Sequence, residues 1–158
     1  MLWVMGALKK MTISIKDRNG DTSIDLRKIS SKVIPKFDKN GKPSFTVILK
    51  GDGAISESDS KLDVSYSNNI RFLEREFSKQ AKAQVQQTIV KVQKEYGLDV
   101  FGFGEELHQH HPEKWKSLSA NWDQLFPEAV ITVKAKIKIK HIGMEGPSLL
   151  YRESEIKK

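Results

Sequence analysis

The chain contains no cysteine, which excludes disulfides, thiol catalysis and cysteine-based metal sites. It also has no apolar run that approaches the roughly 20 residues needed to span a bilayer. Acidic residues are in deficit, 20 against 27 basic ones, so that the net charge is +7 and the pI is near 9.5. This charge is compatible with nucleic acid, an anionic membrane surface or an acidic partner, and does not choose among them.

The remaining composition is that of a folded domain. Hydrophobic residues make up 38% of the 158 residues and charged residues 30%, a balance too apolar for a disordered chain. We expect one domain over residues 1–144 and a loose polar tail over residues 145–158. Residues 1–10 are apolar but lack the basic region and the length of a signal peptide, and they predict a buried strand. An opening inside a strand is typical of a piece of a longer protein.

The longest regular pattern predicts a helix over residues 69–96. Apolar residues recur at steps of three and four, which places on one helical stripe Ile70, Leu73, Phe77, Ala81, Val85, Ile89, Val92 and Tyr96. Residues 67–69 offer side-chain oxygens as N-caps, and Gly97 can adopt the left-handed conformation that ends a helix. About 28 residues of helix would measure about 42 Å, so an equally long surface is needed to cover the stripe.

Short alternating segments before this helix predict β-strands. They cover residues 11–16, 22–26, 30–37, 44–50 and 54–56. Asn-Gly pairs ending at Gly20 and Gly41 predict hairpins. Pro35 places its strand at a sheet edge or a strand end, and the segment from Gly51 to Gly53 predicts a bulge or bend.

Two shorter helices and a final strand are predicted after Gly97. Asp99 is a suitable N-cap for a helix over residues 100–110, and Pro112 suits the first turn of a helix over residues 112–125. The apolar stripe of that last helix would carry Trp115, Leu118, Trp122 and Leu125. With a strand over residues 129–142, the whole pattern predicts an α+β fold. We expect a mostly antiparallel sheet of about four to five strands, with the long helix and the two shorter helices packed on it.

The final strand carries a row of lysines on one face, formed by Lys134, Lys136, Lys138 and Lys140. One interpretation is a solvated face that also protects a sheet edge. The alternative is a small basic binding module for nucleic acid or anionic lipid headgroups. RNA-binding sheets normally carry exposed aromatic residues for base stacking, and this face has none, so nucleic acid is not the partner we expect.

No nucleophile, base and oxyanion site come together in the sequence. His108 and His111 would share a helix face and could form a metal pair with His110 nearby, but a polar helix end is the simpler interpretation. Gly102 and Gly104 lack the third glycine and the preceding strand of a phosphate-binding loop, so we interpret them as close-packing positions. The sequence therefore predicts no enzyme activity, no metal site and no cofactor.

One segment, residues 93–126, resembles a known family. It reads Q-K-E-Y-x-x-D-V-F-G-F-G-E, then H-P-E-K-W, then N-W-D-Q-L-F-P. The matching positions are Gln93, Tyr96, Asp99, Phe101, Gly102, Gly104, Pro112, Trp115, Trp122 and Phe126. Together with the basic strand that follows, they resemble the C-terminal domain of the Ger(x)C family, the C subunits of nutrient germinant receptors in spore-forming Bacillales and Clostridia. The resemblance extends over residues 2–144.

This resemblance implies a non-enzymatic α+β domain that contributes to nutrient-triggered spore germination through protein–protein interaction. Family members are lipoproteins, anchored by a lipidated N-terminal cysteine to the outer face of the spore inner membrane. They work with two integral-membrane subunits, A and B. This chain shows no signal sequence, lipidation cysteine or preceding domains, so we expect it to correspond to the C-terminal domain alone. The family has no catalytic residues to transfer.

Overall fold

The computed structural model describes residues 12–17, 20–58 and 66–141. The strands are β1 (Thr12–Asp17), β2 (Gly20–Phe37), β3 (Pro43–Ser58) and β4 (Val130–His141). The α-helices are α1 (Ser67–Lys91), α2 (Phe103–His110), α3 (Pro112–Leu118) and α4 (Trp122–Leu125). A π-helical turn, Val92–Tyr96, continues α1, and 3-10 turns at Ser119–Asn121 and Phe126–Glu128 flank α4. The strand predicted over residues 1–10 and the predicted tail with its boundary at residue 144 lie outside the described residues.

The four strands form one sheet in the order β1-β2-β3-β4. The pairs β1–β2 and β2–β3 are antiparallel, whereas β3 and β4 are parallel. A parallel pair needs a long crossover connection, and every helix in the described part of the chain lies within that connection. The predicted α+β class with a mostly antiparallel sheet is confirmed.

The break predicted inside β2 does not end the strand. The segments predicted over residues 22–26 and 30–37 form one strand, with a register shift between Arg27 and Ser30. Lys28 has φ +50 at this point, so the chain bulges and bends while pairing with β3 continues on either side. The prediction of two separate strands was wrong because Lys28 interrupts the apolar alternation at the bulge, where the pairing nevertheless continues.

The strand β3 likewise joins the segments predicted over residues 44–50 and 54–56. A Cβ atom at Gly53 would lie 2.7 Å from Cδ1 of Ile24, so this glycine permits close approach of a neighbouring side chain within a continuous strand.

Pro35 pairs with Phe45 in β3, and its opposite side has no strand partner among the described residues. Its edge location agrees with the prediction.

The predicted hairpin between β2 and β3 is confirmed. The Asp38 Oδ1 atom accepts hydrogen bonds from the backbone amides of Asn40 and Lys42, both at 2.8 Å. Gly41 has φ +80, the conformation for which glycine is favoured. The Asx turn therefore fixes the register of the two longest strands.

The long helix is confirmed, and its buried side chains are Leu73, Phe77, Ala81, Val85 and Ile89. Its start differs from the prediction. Tyr66 is the N-cap residue and makes no side-chain cap, while its carbonyl accepts the amides of Asn69 and Ile70. Residues 67–69 are already helical. They therefore do not occupy the N-cap position that was predicted for them, which is held by Tyr66.

The end of the long helix widens into the π turn. The Gly97 amide bonds the Val92 carbonyl at 2.9 Å, and Gly97 has φ +66, as predicted for the residue that ends the helix. Tyr96 is 65% exposed, so its assignment to the buried stripe was wrong. The cause is the wider turn, which breaks the 3.6-residue period on which that assignment rested.

The crossover helices are shorter than predicted. The helix predicted over residues 100–110 begins at Phe103, and the one predicted over residues 112–125 is interrupted by the 3-10 turn at Ser119–Asn121. Trp122 is buried, whereas Trp115, Leu118 and Leu125 are half-buried. The long helix α1 runs beside β4 and also contacts β1, so the curled sheet brings both of its edge strands to the helix.

Candidate functional site

The Asp99 carboxylate organises the end of the molecule where α2 begins. Its Oδ1 atom accepts the amides of Gly102 and Phe103 at 2.9 and 3.0 Å. Its Oδ2 atom accepts the Gly104 amide at 2.7 Å and the Trp122 indole N–H at 2.9 Å. Asp99 therefore satisfies the free amides at the start of α2, as an N-cap does, and also fixes the position of α4.

The two glycines of this segment have different roles. A Cβ atom on Gly104 would lie 2.8 Å from Cη2 of Trp115 and 2.8 Å from Nε1 of Trp122, so the absence of a side chain permits the close packing that the sequence predicted. Gly102 has φ +89 and ψ 28 and is the N-cap residue of α2. Its left-handed conformation turns the chain into the helix, which explains why α2 starts later than predicted.

Aromatic rings fill the space between α2, α4 and the sheet. We call this cluster the aromatic end; it consists of Phe45, Phe101, Phe103, Trp115, Trp122 and Phe126. Phe45 and Phe103 have ring centroids 5.0 Å apart, and the two tryptophan rings meet edge-on at 5.6 Å. Four of the ten family-motif residues belong to this cluster, and they hold the crossover on the sheet.

Gln93 connects the π turn to the last strand. Its side chain is 6% exposed, and Nε2 donates to the carbonyls of Phe126 and Ala129 at 2.8 and 2.9 Å. These bonds hold the π turn against the segment that leads into β4. Sequence reasoning reached Gln93 only through the family resemblance, because its partners lie more than 30 residues away, at separations of 33 and 36.

Two motif residues stay outside this interior. Pro112 is exposed at the first turn of α3, and Tyr96 is 65% exposed. Leu98 and Val100 follow it, 56% and 53% exposed, so that three of the five exposed large hydrophobic side chains of the described residues lie in one short loop. We call this loop the 96–100 segment. The sequence analysis did not predict this exposed segment. The pattern that could have indicated it is the alternation of Tyr96, Leu98 and Val100 with Gly97 and Asp99.

The lysines of β4 are exposed, and their neighbours in the sheet extend the charge. Lys50 in β3 pairs with Lys136, and Lys32 in β2 pairs with Ile48, whose other partner is Lys134. Cross-strand partners share a face, so both additional lysines lie beside the β4 row. We call this surface the lysine face: Lys32, Lys50, Lys134, Lys136, Lys138 and Lys140. Sequence reasoning missed the first two because strand register is not visible from one strand.

The outer edge of β4 is covered by polar side chains of α1. The Gln86 side chain bonds the backbone as a neighbouring strand would: its Nε2 donates to the Ile131 carbonyl at 2.8 Å, and its Oε1 accepts the Val133 amide at 3.0 Å. Gln86 thereby satisfies a donor and an acceptor that an open edge strand would expose.

The same helix covers the edge further along. Ser78 Oγ accepts the Ile137 amide at 2.9 Å, and Glu74 Oε2 accepts the Ile139 amide at 2.8 Å. We call Glu74, Ser78 and Gln86 the capping row. One interpretation of the β4 lysines was that they protect this edge; in the structure, side chains of α1 bond its backbone groups.

The histidine cluster does not form a common site. His108 Nδ1 lies 4.0 Å from Glu105, and His110 Nε2 lies 3.3 Å from Glu106, in each case about one helical turn earlier. The His111 ring instead packs edge-on against Phe37 of β2, with ring centroids 5.3 Å apart. Among residues 12–17, 20–58 and 66–141, no three or more His, Asp or Glu side chains are grouped so that they could hold a metal ion. None of the helices in the described ranges is long and apolar enough to cross a membrane.

Known proteins resemble this chain over nearly its whole length. The model of the family described as "Spore germination B3/ GerAC like, C-terminal" matches residues 1–143. Spore germination protein B3 of Bacillus subtilis (strain 168) is 28% identical over 145 residues, and Spore germination protein KC of the same organism is 25% identical over 149 residues. These alignments cover 91% and 92% of this chain but only 38% and 36% of the relatives.

A solved structure shares the fold. The crystal structure of the GerBC protein superimposes with a TM-score of 0.73 at 26% identity, over 87% of this chain and 42% of that one. The chain therefore spans well under half the length of the proteins it matches.

Proposed function

This chain belongs to the spore germination B3/GerAC-like C-terminal family, and we propose that it is the non-catalytic C-terminal domain of a germinant-receptor C subunit. In this role it contributes to nutrient-triggered germination by binding other receptor subunits. The names of its relatives, spore germination proteins B3 and KC, support a role in germination. The full-length protein would act at the outer face of the spore inner membrane, held there by an N-terminal lipid anchor, with integral-membrane A and B subunits as partners.

The observation that carries this proposal is the concentration of exposed apolar side chains in the 96–100 segment. Tyr96, Leu98 and Val100 are each more than half exposed, at 65%, 56% and 53%. Large apolar side chains that share one exposed loop mark a protein-contact site more often than scattered ones do. Tyrosine in particular supplies apolar contact area together with a hydroxyl group that can bond a partner.

The segment is also held in place before any partner binds. Gln93 fixes the turn before it and Asp99 fixes the turn after it, through the hydrogen bonds described above. A Cβ atom on Gly97 would lie 3.6 Å from Cγ of Pro127, so the segment passes close to the 3-10 turn that precedes β4. A loop held at both ends loses little conformational entropy when it binds. We therefore propose it as the contact surface for an apolar surface of a partner subunit.

The experiment replaces Tyr96, Leu98 and Val100 together by serine in the full-length protein. We expect the two integral-membrane subunits to be lost from its affinity purification and nutrient-induced germination to slow, while the protein accumulates to its normal level. The matched control is Tyr66→Ser, since Tyr66 is 64% exposed elsewhere on the molecule. Normal subunit recovery together with normal germination in the triple variant would contradict the proposal.

A second candidate function is polyanion binding by the lysine face. The observation in its favour is the register that adds Lys32 and Lys50 to the four lysines of β4. Nucleic acid or anionic lipid headgroups would then bind with an affinity that falls steeply as salt rises. Binding that is absent at low salt, or that survives Lys134→Glu combined with Lys138→Glu, would exclude this candidate.

A further inference from the structure

A groove lies between α1 and β4 on the side of the molecule that carries the capping row. Its volume is about 540 Å³, within the range of pockets that take small organic ligands. Six cationic side chains line it: Arg71, Arg75, Lys79, Lys82, Lys136 and Lys138. Its remaining lining residues are Glu74, Ser78, Ala135 and Ile137.

The groove coincides with a gap in the capping row. The positions on α1 that face β4 follow a step of four, and Lys82 occupies the step between Ser78 and Gln86. Lysine carries donors and no acceptor, so it cannot accept a backbone amide as its neighbours do. One step of the row therefore presents a cation where the others present an acceptor.

The strand presents a further donor at the same place. The amides of Val133, Ile137 and Ile139 donate toward α1, and strand residues two apart point the same way. The Ala135 amide therefore points toward α1 as well, into the groove that Lys82 lines. A backbone N–H and an ammonium group directed into one small groove form an arrangement that an anion can satisfy.

The groove lining contains one carboxylate against six cationic side chains. The lining carboxylate, Glu74, accepts the Ile139 amide at 2.8 Å, and Lys79 is paired with Glu76 at 3.2 Å on the exposed surface of the helix. Arg75 adds a planar guanidinium group, whose geometry matches two oxygens of a phosphate. The groove is also larger than a bare ion requires, and Ala135 and Ile137 give it an apolar floor.

We propose that the α1–β4 groove binds an organic phosphate, either as a free metabolite or as the headgroup of a lipid. The phosphate oxygens would accept from the Ala135 amide, Lys82 and Arg75, while Lys136 and Lys138 border the opening. This site shares Lys136 and Lys138 with the lysine face, but the groups proposed to donate to the phosphate come from α1 and from the strand edge. It is also independent of the 96–100 segment.

The test follows backbone amide NMR signals of the 158-residue chain during titration with sn-glycerol 3-phosphate at constant ionic strength. Saturable shifts are expected at Ala135 and Ile137 and on the facing turns of α1, without matching shifts in the aromatic end. Arg75→Glu combined with Lys82→Glu should weaken binding by about tenfold or more. The control, Lys91→Glu combined with Lys94→Glu, makes the same charge change on exposed positions outside the groove and should alter binding by about twofold at most.

A milder variant, Lys82→Gln, tests the gap itself. Glutamine at this step can cap the Ala135 amide as Gln86 caps Val133, so ligand binding should weaken while the melting temperature is kept or raised. Unchanged binding in Lys82→Gln would overturn the proposal. Equal weakening in both charge-reversal pairs would overturn it too, because that result describes diffuse surface charge.

Vesicles distinguish the two sources of phosphate. Co-sedimentation with phosphatidylglycerol vesicles but not with phosphatidylcholine vesicles, lost in the Arg75→Glu and Lys82→Glu variant, would identify a lipid headgroup. Binding of glycerol phosphate without vesicle binding would identify a free metabolite. Failure of both probes to bind the unmodified chain would overturn the proposal while leaving the 96–100 segment as the partner contact.

Discussion

The aromatic end and the β4 side of the molecule use charge in opposite ways. At the aromatic end a single carboxylate, Asp99, accepts hydrogen bonds from three backbone amides and one indole, so its contribution is structural. On the β4 side the lysine face and the groove carry many exposed cations, while the structural bonds come from the capping row. The family motif therefore marks mainly what holds the fold. Of the candidate binding surfaces, the 96–100 segment lies within the motif, whereas the lysine face and the groove lie outside it.

The largest expected effect is that of Asp99→Ala. The substitution removes the acceptor of four N–H groups in a part-buried environment, and we expect the free energy of unfolding to fall by about 3 to 4 kcal/mol. Urea denaturation of the variant measures it. Asp99→Asn keeps one acceptor oxygen and should cost less; equal losses in the two variants would show that the oxygen kept by asparagine contributes nothing to stability.

Gly104→Leu should have the next largest effect. A Cβ atom alone would already lie 2.8 Å from both tryptophan rings, so leucine overpacks the aromatic end. A loss of about 2 to 3 kcal/mol is expected. The control is Gly51→Ala, because a Cβ atom there meets its nearest neighbour, Ile29 Cγ1, at an ordinary 3.5 Å. Unchanged melting of Gly104→Leu would refute the tight packing.

Gln86→Ala tests the capping row. The hydrogen bonds of this row stabilise the outer edge of β4, the strand that carries most of the lysine face. The variant leaves the Val133 amide and the Ile131 carbonyl without their side-chain partner. We expect a loss of about 1 to 2 kcal/mol and faster hydrogen exchange at Val133. Gln87→Ala, at the exposed neighbouring position, should change neither quantity. If both variants behave alike, the helix does not cap the edge.

The smallest effect is expected on the lysine face. Lys134→Ala should change the free energy of unfolding by no more than about 0.5 kcal/mol, because the side chain is exposed. Thermal melting at low and high salt measures it. A large stabilisation on removing Lys134, strongest at low salt, would show that repulsion among the lysines strains the sheet, and the contrast between the two regions would then be less sharp.

Local patterns were sufficient to predict many elements of the fold. The 3.6-residue period of α1, the alternation in β4 and the Asp38 to Gly41 turn are properties of adjacent residues, and the structure confirms them. Asp99 was also identified as the cap of the following helix from its position alone. The two-strand interpretation of β2 failed because the bulge at Lys28 breaks the apolar alternation without ending the strand.

The candidate sites were less predictable because they depend on which elements become neighbours. Lys32 and Lys50 join the β4 lysines only through strand register, and the exposure of Tyr96 follows from a π turn that a periodic pattern does not reveal. Gln86 and Lys82 are ordinary polar residues in the sequence. Their different roles arise only when α1 lies along the β4 edge.

The α+β class, the long helix, the basic strand and the family can all be inferred from the sequence, because each depends on the types and spacing of residues near one another in the chain. The tertiary structure alone decided that β4 pairs parallel to β3, that α1 covers its edge and that cations surround a groove at Ala135. These features depend on contacts between residues far apart in the chain: 45 to 65 positions across the capping row, and 86 positions where Ser44 of β3 pairs with Val130 of β4 (130 − 44). Local propensity carries no information about such contacts.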